Sequence, residues 1–346
     1  MIAENGIKII GKVEDTVSKK MEVFYNPIMK LNRDISVLLL KAIDKKEMQI
    51  GLPLSGSGIR GIRFLKELES EKIKRIYFND YREGFEKELT ENFKLNGVAF
   101  DSEQIIISNQ EASKFLLSEC GFDYIDIDPF GSPNPFLDGA IKRISRGGVL
   151  AVTATDTSAL CGTYPKVCRR KYWAEPCHDF RMHEFGLRIL IRKVQLIGVQ
   201  FEKAMIPVFS YSRDHYMRVF FLCFKGKKKC DDVLKAHSIV DGYGPLWTGA
   251  IFDSELVDKM FEKNLKSELI DTDFMNMILK ESKINLIGFY DIWKSCSKLK
   301  ITCPKFEKIF DAVSSLGFKL CRTHFSECGL KTNMPEEQFL DILKKL

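Results

Sequence analysis

The sequence predicts an α/β protein: a parallel, doubly wound sheet followed by a smaller, mostly helical α+β region. Three observations carry this. Short apolar runs alternate with amphipathic stretches over the first two-thirds of the chain. Glycine or aspartate punctuates the end of several early runs. A composition shift near residue 225 then introduces a polar, lysine-rich remainder. Strands alternating with helical patterns of this length imply parallel strands joined by right-handed crossovers.

The elements follow in order. "MQIGLPL" (48–54) reads as a strand and "GIRGIRFLKELES" (58–70) as a helix. "IKRIYFND" (73–80) is a second strand, and "EGFEKELTENFKLNG" (83–97) a helix stopped at Gly97. "EQIIIS" (103–108) is the third strand, with a short helix running to Cys120. "FDYIDID" (122–128) is the fourth, with a helix over about 133–143, and "GGVLAVTATD" (147–156) the fifth. A long helix over 183–200 leads to a hairpin of 203–212 and 216–226 around "RDH". The polar, glycine-punctuated stretch 227–244 reads as a linker between a domain of residues 1–226 and one of residues 245–346. In the latter, 304–325 reads as helix, turn at Gly317, then strand, as in a small helical or winged module.

Composition sets outer limits. The 346 residues are 45% hydrophobic and 29% charged, an ordinary globular mix, with net charge +6, which suits an anionic partner without requiring one. No apolar run reaches the roughly 18 residues of a membrane span, and the first twenty residues lack an apolar signal core, so a cytoplasmic protein is expected. The ten cysteines form no Cys-x-x-Cys, and the five histidines are scattered, so no metal site is expected.

Candidate site residues cluster at strand ends. After strand one comes "SGSGIRG" (55–61), small residues that let a ligand approach the backbone and a helix N-terminus. It is neither a dinucleotide-binding nor a P-loop pattern, so a phosphate is a poor guess. Asp80 ends strand two, where a carboxylate can hold both hydroxyls of a ribose or can cap the next helix. Glu111, after strand three, can reach a purine amino group or serve as first-turn helix charge. Strand four ends on "DIDPFG" (126–131): Asp126 and Asp128 project from one face, Pro129 fixes the backbone, and Phe130 offers a flat ring. A carboxylate there can accept hydrogen bonds from an exocyclic amine while the ring stacks on an extruded base; a simple Asp-Pro-x-Gly turn is the alternative. In "FYNPIMKLNRDIS" (24–36), Asn32 or Asp34 is expected to cap a helix and Arg33 to reach a cofactor carboxylate. "CRRKY" (168–172) and "RTHF" (322–325) are the clearest basic-plus-aromatic spots for RNA phosphates, with solvated faces as the alternative.

These motifs, with "VTATDTSALCGTYPKVCRRKY", "YSRDHYMRVF", "GPLWTG" and "RTHFSECGLKT", resemble in sequence and order the archaeal type of the tRNA (guanine-26-N2)-dimethyltransferase family over nearly the whole chain. The resemblance implies a Rossmann-like class I methyltransferase domain using S-adenosyl-L-methionine, a C-terminal domain gripping tRNA, and no obligate protein partner. It places Phe24, Arg33, Arg60, Arg63, Asp80, Glu111 and Ala112 at the cofactor, and Asp128, Pro129 and Phe130 in the catalytic turn. Two departures stand out. Leu52 occupies a position where the family usually has Asp, and only Cys230 stands where some members carry paired cysteines. Leu52 motivates one alternative, a tRNA-binding chaperone with a decayed cofactor site. The other is an amino-methyltransferase acting on rRNA guanine or DNA adenine.

Overall fold

The computed structural model describes residues 1–10, 25–119 and 121–346. The chain divides into two compact units: Met1–Asp156 with Lys193–Val208 and Asp214–Lys235, and Thr157–Arg192 with Phe209–Arg213 and Ala236–Leu346.

The first unit opens on a hairpin, β1 (Ile2–Glu4) and β2 (Ile7–Ile9). Its two-residue turn is Asn5-Gly6, both at positive φ (48° and 77°), the pair that a twisted hairpin favours. Helix α1 (Lys30–Ala42) follows a short 3-10 turn capped by Asn26, whose side chain accepts from the Ile28 N–H. The expected caps, Asn32 and Asp34, are instead buried inside α1 and bonded elsewhere. Then come β3 (Met48–Leu52), α2 (Ile59–Glu67), β4 (Ile73–Asn79), α3 (Phe85–Leu95), β5 (Ile105–Ser108), α4 (Ala112–Ser118), β6 (Phe122–Ile127), α5 (Asn134–Arg143) and β7 (Ile144–Ala154). After α6 (Thr157–Leu160), α7 (Pro165–Tyr172) and α8 (Met182–Val199), β8 (Lys203–Arg213) and β9 (Tyr216–Lys225) complete the sheet.

The seven strands run in the order β5-β4-β3-β6-β7-β9-β8. β3, β4, β5, β6 and β7 pair in parallel, and β9 pairs antiparallel to β7, from Val149 opposite Leu222 to Ala154 opposite Met217. Strand order reverses between β3 and β6. The crevice outside the carboxyl ends of these two strands is therefore where such sheets bind ligands. Both faces are covered, and Ile50, Ile76, Phe78, Ile125, Ile127, Leu150 and Val152 are fully buried.

The stretch 227–244, expected to be a linker, is ordered. It holds α9 (Lys227–Lys235), which buries Cys230 and Val233, and most of the hairpin β10 (His237–Val240) and β11 (Tyr243–Trp247). The polar composition belongs to the exposed side of a short amphipathic helix.

The second unit adds helices α10 (Ser254–Ser267) and α11 (Thr272–Ser282), then β12 (Tyr290–Asp291), α12 (Ile292–Leu299), α13 (Phe306–Ser315), β13 (Leu320–Thr323), β14 (Ser326–Thr332) and α14 (Glu336–Lys345). Its three-stranded sheet, β12-β14-β13, is antiparallel. Ile292, Ile309, Val313, Leu330, Phe339 and Leu343 form a core in which Tyr290 stacks on Phe339 at 4.7 Å. Among the described residues no helix is long and apolar enough to cross a membrane.

Candidate active site

The cleft at the switch point is built from the ends of β3 and β6. It opens to solvent. Leu52, Leu54, Ser55, Gly56, Ser57, Arg60, Arg33, Asp126 and Asp128 contribute to its walls. Gly58 begins α2 at φ +78°, where a side chain would be strained and its Cβ would overlap Leu89, so this turn requires glycine.

The glycine turn and the acid after β4 meet. Asp80 accepts from the Gly56 N–H through Oδ2 (2.8 Å) and from the Arg82 N–H through Oδ1 (3.1 Å). It does not cap α3, whose N-cap is Gly84. Beside it Tyr81 is 75% exposed, a flat ring that sequence reasoning passed over.

The turn after β6 is held from both sides. The Gly131 N–H donates to Thr155 Oγ1 (2.6 Å), and the Thr155 N–H donates back to the Gly131 carbonyl (2.9 Å). Pro129 is buried and Phe130 is 37% exposed. Asp128 Oδ2 accepts from Arg60, while its Oδ1 accepts from no described residue. Arg60 is itself fixed by Ser36 Oγ and Asn32 Oδ1, both at 2.9 Å, and lies 3.5 Å from Asp126.

Behind this turn is a buried network. Arg218 on β9 donates to both oxygens of Asp126 (2.9 and 2.7 Å), to Thr153 Oγ1 (2.8 Å) and to Ser36 Oγ (3.0 Å). The Tyr124 hydroxyl donates to Asp126 at 2.6 Å. Burial alone would raise the Asp126 pKa, but the Arg218 and Arg60 charges outweigh it and hold Asp126 below the usual carboxylate range. The arginine in "YMRVFFLCF" was the available signal, since a charge amid an apolar strand needs a buried partner.

Of the predicted cofactor residues, the structure gathers some and separates others. Arg60 and Asp80 stand at the cleft and its glycine turn. Arg33 lines the cleft, but its Nε and Nη2 bind Glu4 at 2.8 and 2.5 Å. Arg63 is a correction: it is fully buried, bonded to Glu4 (2.8 Å), Asp34 (2.6 Å) and Glu67 (2.5 Å), and it does not line the cleft. Burial would raise the Glu4 pKa, yet Arg33, Arg63 and the Tyr25 hydroxyl together lower it to about 2. Glu111 caps α4, accepting from the Ser113 and Lys114 N–H groups at 2.8 and 3.0 Å, with Ala112 buried as the first helical residue. Phe24 lies outside the described residues.

The two basic-aromatic spots also part. In "RTHF", Arg322 and Thr323 end β13, and His324 and Phe325 form the turn to β14. The His324 side chain is 1% exposed, with Nδ1 2.7 Å from Glu281, and Arg322 lies over the Phe306 ring at 4.0 Å. Arg169, Arg170 and Lys171 of "CRRKY" are exposed. Among the described residues, no group of three or more His, Cys, Asp or Glu could hold a metal ion.

A parallel sheet with a glycine turn after its first central strand, an acid after the second and Asp-Pro-Phe after the fourth defines a Rossmann-like, nucleoside-cofactor methyltransferase. A family model for N2,N2-dimethylguanosine tRNA methyltransferase matches residues 4–242 and 237–344, and the chain belongs to that family. It is 38% identical to the tRNA (guanine(26)-N(2)/guanine(27)-N(2))-dimethyltransferase of Aquifex aeolicus, over 100% of this chain and 95% of that protein. It is 37% identical to the tRNA (guanine(26)-N(2))-dimethyltransferase of Methanocaldococcus jannaschii, over 96% of each. Trm1 from Pyrococcus horikoshii, solved in complex with S-adenosyl-L-methionine, superposes with a TM-score of 0.89 at 32% identity, covering 99% of both chains. The chain is thus an S-adenosylmethionine-dependent tRNA guanine N2-methyltransferase by family.

Proposed function

We propose that this chain transfers methyl groups from S-adenosyl-L-methionine to the exocyclic N2 of guanine 26 in tRNA, giving N2-methyl- and then N2,N2-dimethylguanine, in the cytoplasm. The relatives named for guanine 26 support the position. The first unit carries cofactor and chemistry, and the second grips tRNA.

The residues present fit the cofactor. The cleft offers a glycine turn tied to a carboxylate, which suits a nucleoside, and no lysine among the described residues lines it, as a phosphate would favour. Asp80 holds the ribose hydroxyls, with Tyr81 beside it as a stacking ring. Arg60 and Arg33 supply positive charge for the cofactor's carboxylate, and Phe24 completes the set. Leu52 gives the wall an apolar face, so the cofactor's ammonium group is held by carbonyls and water. When bound, the cofactor supplies an electrophilic methyl on a sulfonium.

The observation that carries the reaction is the half-engaged carboxylate. Arg60 fixes Oδ2 of Asp128, while Oδ1 accepts from no described residue. That free oxygen accepts an N–H of the guanine amine and aims its nitrogen at the methyl carbon. Phe130 stacks on the extruded base, a contact worth roughly 1–3 kcal/mol. The guanine amine is not basic, so its proton must leave as the N–C bond forms and the C–S bond breaks. Asp128 accepts it. For the second methylation the monomethyl amine turns its remaining N–H to the same oxygen. The test is mass spectrometry of nucleosides from unmodified tRNA incubated with protein and cofactor. N2-methyl- and N2,N2-dimethylguanosine should appear and should vanish when position 26 is adenine. Persistence of product in that transcript would reassign the position.

A further inference from the structure

Helix α7 presents a solvent face unlike that of an ordinary surface helix. Its buried side is Cys168 and Tyr172, four residues apart. On the opposite side stand Lys166 and Arg170, again four apart, continued one turn on by Trp173. Lys166 and Arg170 are exposed and have no acidic partner among the described residues, whereas Arg169 is neutralised by Glu175 at 2.6 and 3.0 Å. Trp173 is 50% exposed, and Tyr164, just before the helix, is 59% exposed.

Trp173 is also out of place conformationally. It ends α7 at φ 57°, ψ 41°, the left-handed position where glycine is the usual residue and a bulky ring is rare. Its backbone is held there by N–H donation to the Arg169 carbonyl (3.1 Å) and by Arg192, which donates to the Trp173 carbonyl (3.3 Å). Folding alone favours glycine at this position and burial for an indole. A strained, half-exposed tryptophan in line with two unpaired cations points to a ligand.

We infer that the Lys166–Arg170–Trp173 face of α7, with Tyr164, is a tRNA-binding surface: the cations contact phosphates and the indole stacks on an unpaired base or ribose edge. The inference rests on the tRNA substrate proposed above. It also separates the two basic-aromatic spots: α7 meets RNA, and the Arg322–Phe325 segment is packed into its own unit. Charge complementarity selects the partner. Cations spaced along one face match a phosphate backbone, and exposed aromatics are the means by which proteins hold unstacked RNA bases. An acidic protein partner would use the cations and leave the rings without a role.

The test uses the full chain and an unmodified tRNA transcript, with binding measured across a salt series. Lys166→Ala/Arg170→Ala should lower the slope of log K against log salt by about one to two, the loss of up to two phosphate contacts. Trp173→Gly should weaken tRNA binding roughly ten-fold while the unfolding midpoint stays level or rises, since glycine suits the left-handed position. Arg322→Ala should leave the salt slope unchanged. Unchanged affinity and slope in both α7 variants would overturn the inference, as would an effect of Trp173→Gly seen only together with a lower unfolding midpoint. Cofactor-dependent methylation by the unaltered protein is measured alongside. Its absence would instead overturn the assigned reaction.

Discussion

Two buried charge clusters, one in each unit, have nearly the same ingredients and opposite consequences. In the first unit Arg218, Asp126, Tyr124 and Arg60 form a chain that ends on Asp128, a partly exposed carboxylate lining the cleft. In the second, Glu281 accepts from Thr323 Oγ1 (2.6 Å) and bonds His324, while Lys331 sits 3.1 Å from Glu184, which also takes Arg188 at 2.9 Å. The side chains of Glu281, His324, Lys331, Glu184 and Arg188 are each no more than 2% exposed. That cluster is closed to solvent. Burial would raise the Glu281 pKa, yet His324, Lys331 and Thr323 lower it to about 2. Perturbed, buried charge therefore does not by itself mark a functional site. What distinguishes the first cluster is a last member, Asp128, that lines an open cleft with its side chain 17% exposed.

Breaking the closed cluster should produce the largest effect, and on stability alone. Glu281→Ala takes the acceptor from His324 and Thr323 and leaves Lys331 with Glu184 as its one carboxylate, and about 3–5 kcal/mol of unfolding free energy should be lost in denaturant titration. A loss below about 1 kcal/mol would show that the cluster is not a stabilising unit.

The acid limb of the stability profile comes next. Glu4 has a folded pKa of about 2 against an ordinary 4.5, so its contribution is complete above about pH 4.5 and fades as pH falls toward 2. That shift corresponds to about 3 kcal/mol. Glu4→Gln should flatten this limb, and an unchanged pH profile would remove Glu4 from the account.

The open cluster's neighbours should affect binding instead. Asp80→Ala should weaken cofactor binding by roughly 1.5–3 kcal/mol in calorimetry, the range for a hydrogen bond to a charged group. Unchanged affinity would leave Asp80 as a brace for the Gly56 turn. Smallest of all, Glu111→Ala should cost about 1 kcal/mol of stability as a lost helix cap. A ten-fold fall in cofactor affinity would place Glu111 in the site as well.

The sheet was legible because each parallel strand is an apolar run bounded by turn residues, and the observed strands fall within about three residues of their expected ends. The Asp-Pro-Phe turn was legible for the same reason: its chemistry is contiguous. What was missed depends on distance or brevity. Asp126 and Arg218 are 92 residues apart, and nothing local links them. The β1–β2 hairpin carries its Asn-Gly signal, but strands of three residues show no periodicity. Arg63 sits one helical turn from Arg60, and only the fold shows that one faces the cleft and the other the Glu4 carboxylate.

The central claim is that a single carboxylate at the end of the buried chain performs the chemistry. It is tested most directly by single-turnover methyl transfer to tRNA with Asp128→Ala, at saturating cofactor and tRNA. Cofactor affinity and the unfolding midpoint are read on the same protein. Arg60 keeps Asn32, Ser36 and Asp126 when Asp128 is removed, so the fold and the cleft should hold. The rate should fall at least 10²-fold with affinity and midpoint preserved. A rate within a few-fold of the unaltered protein would contradict it.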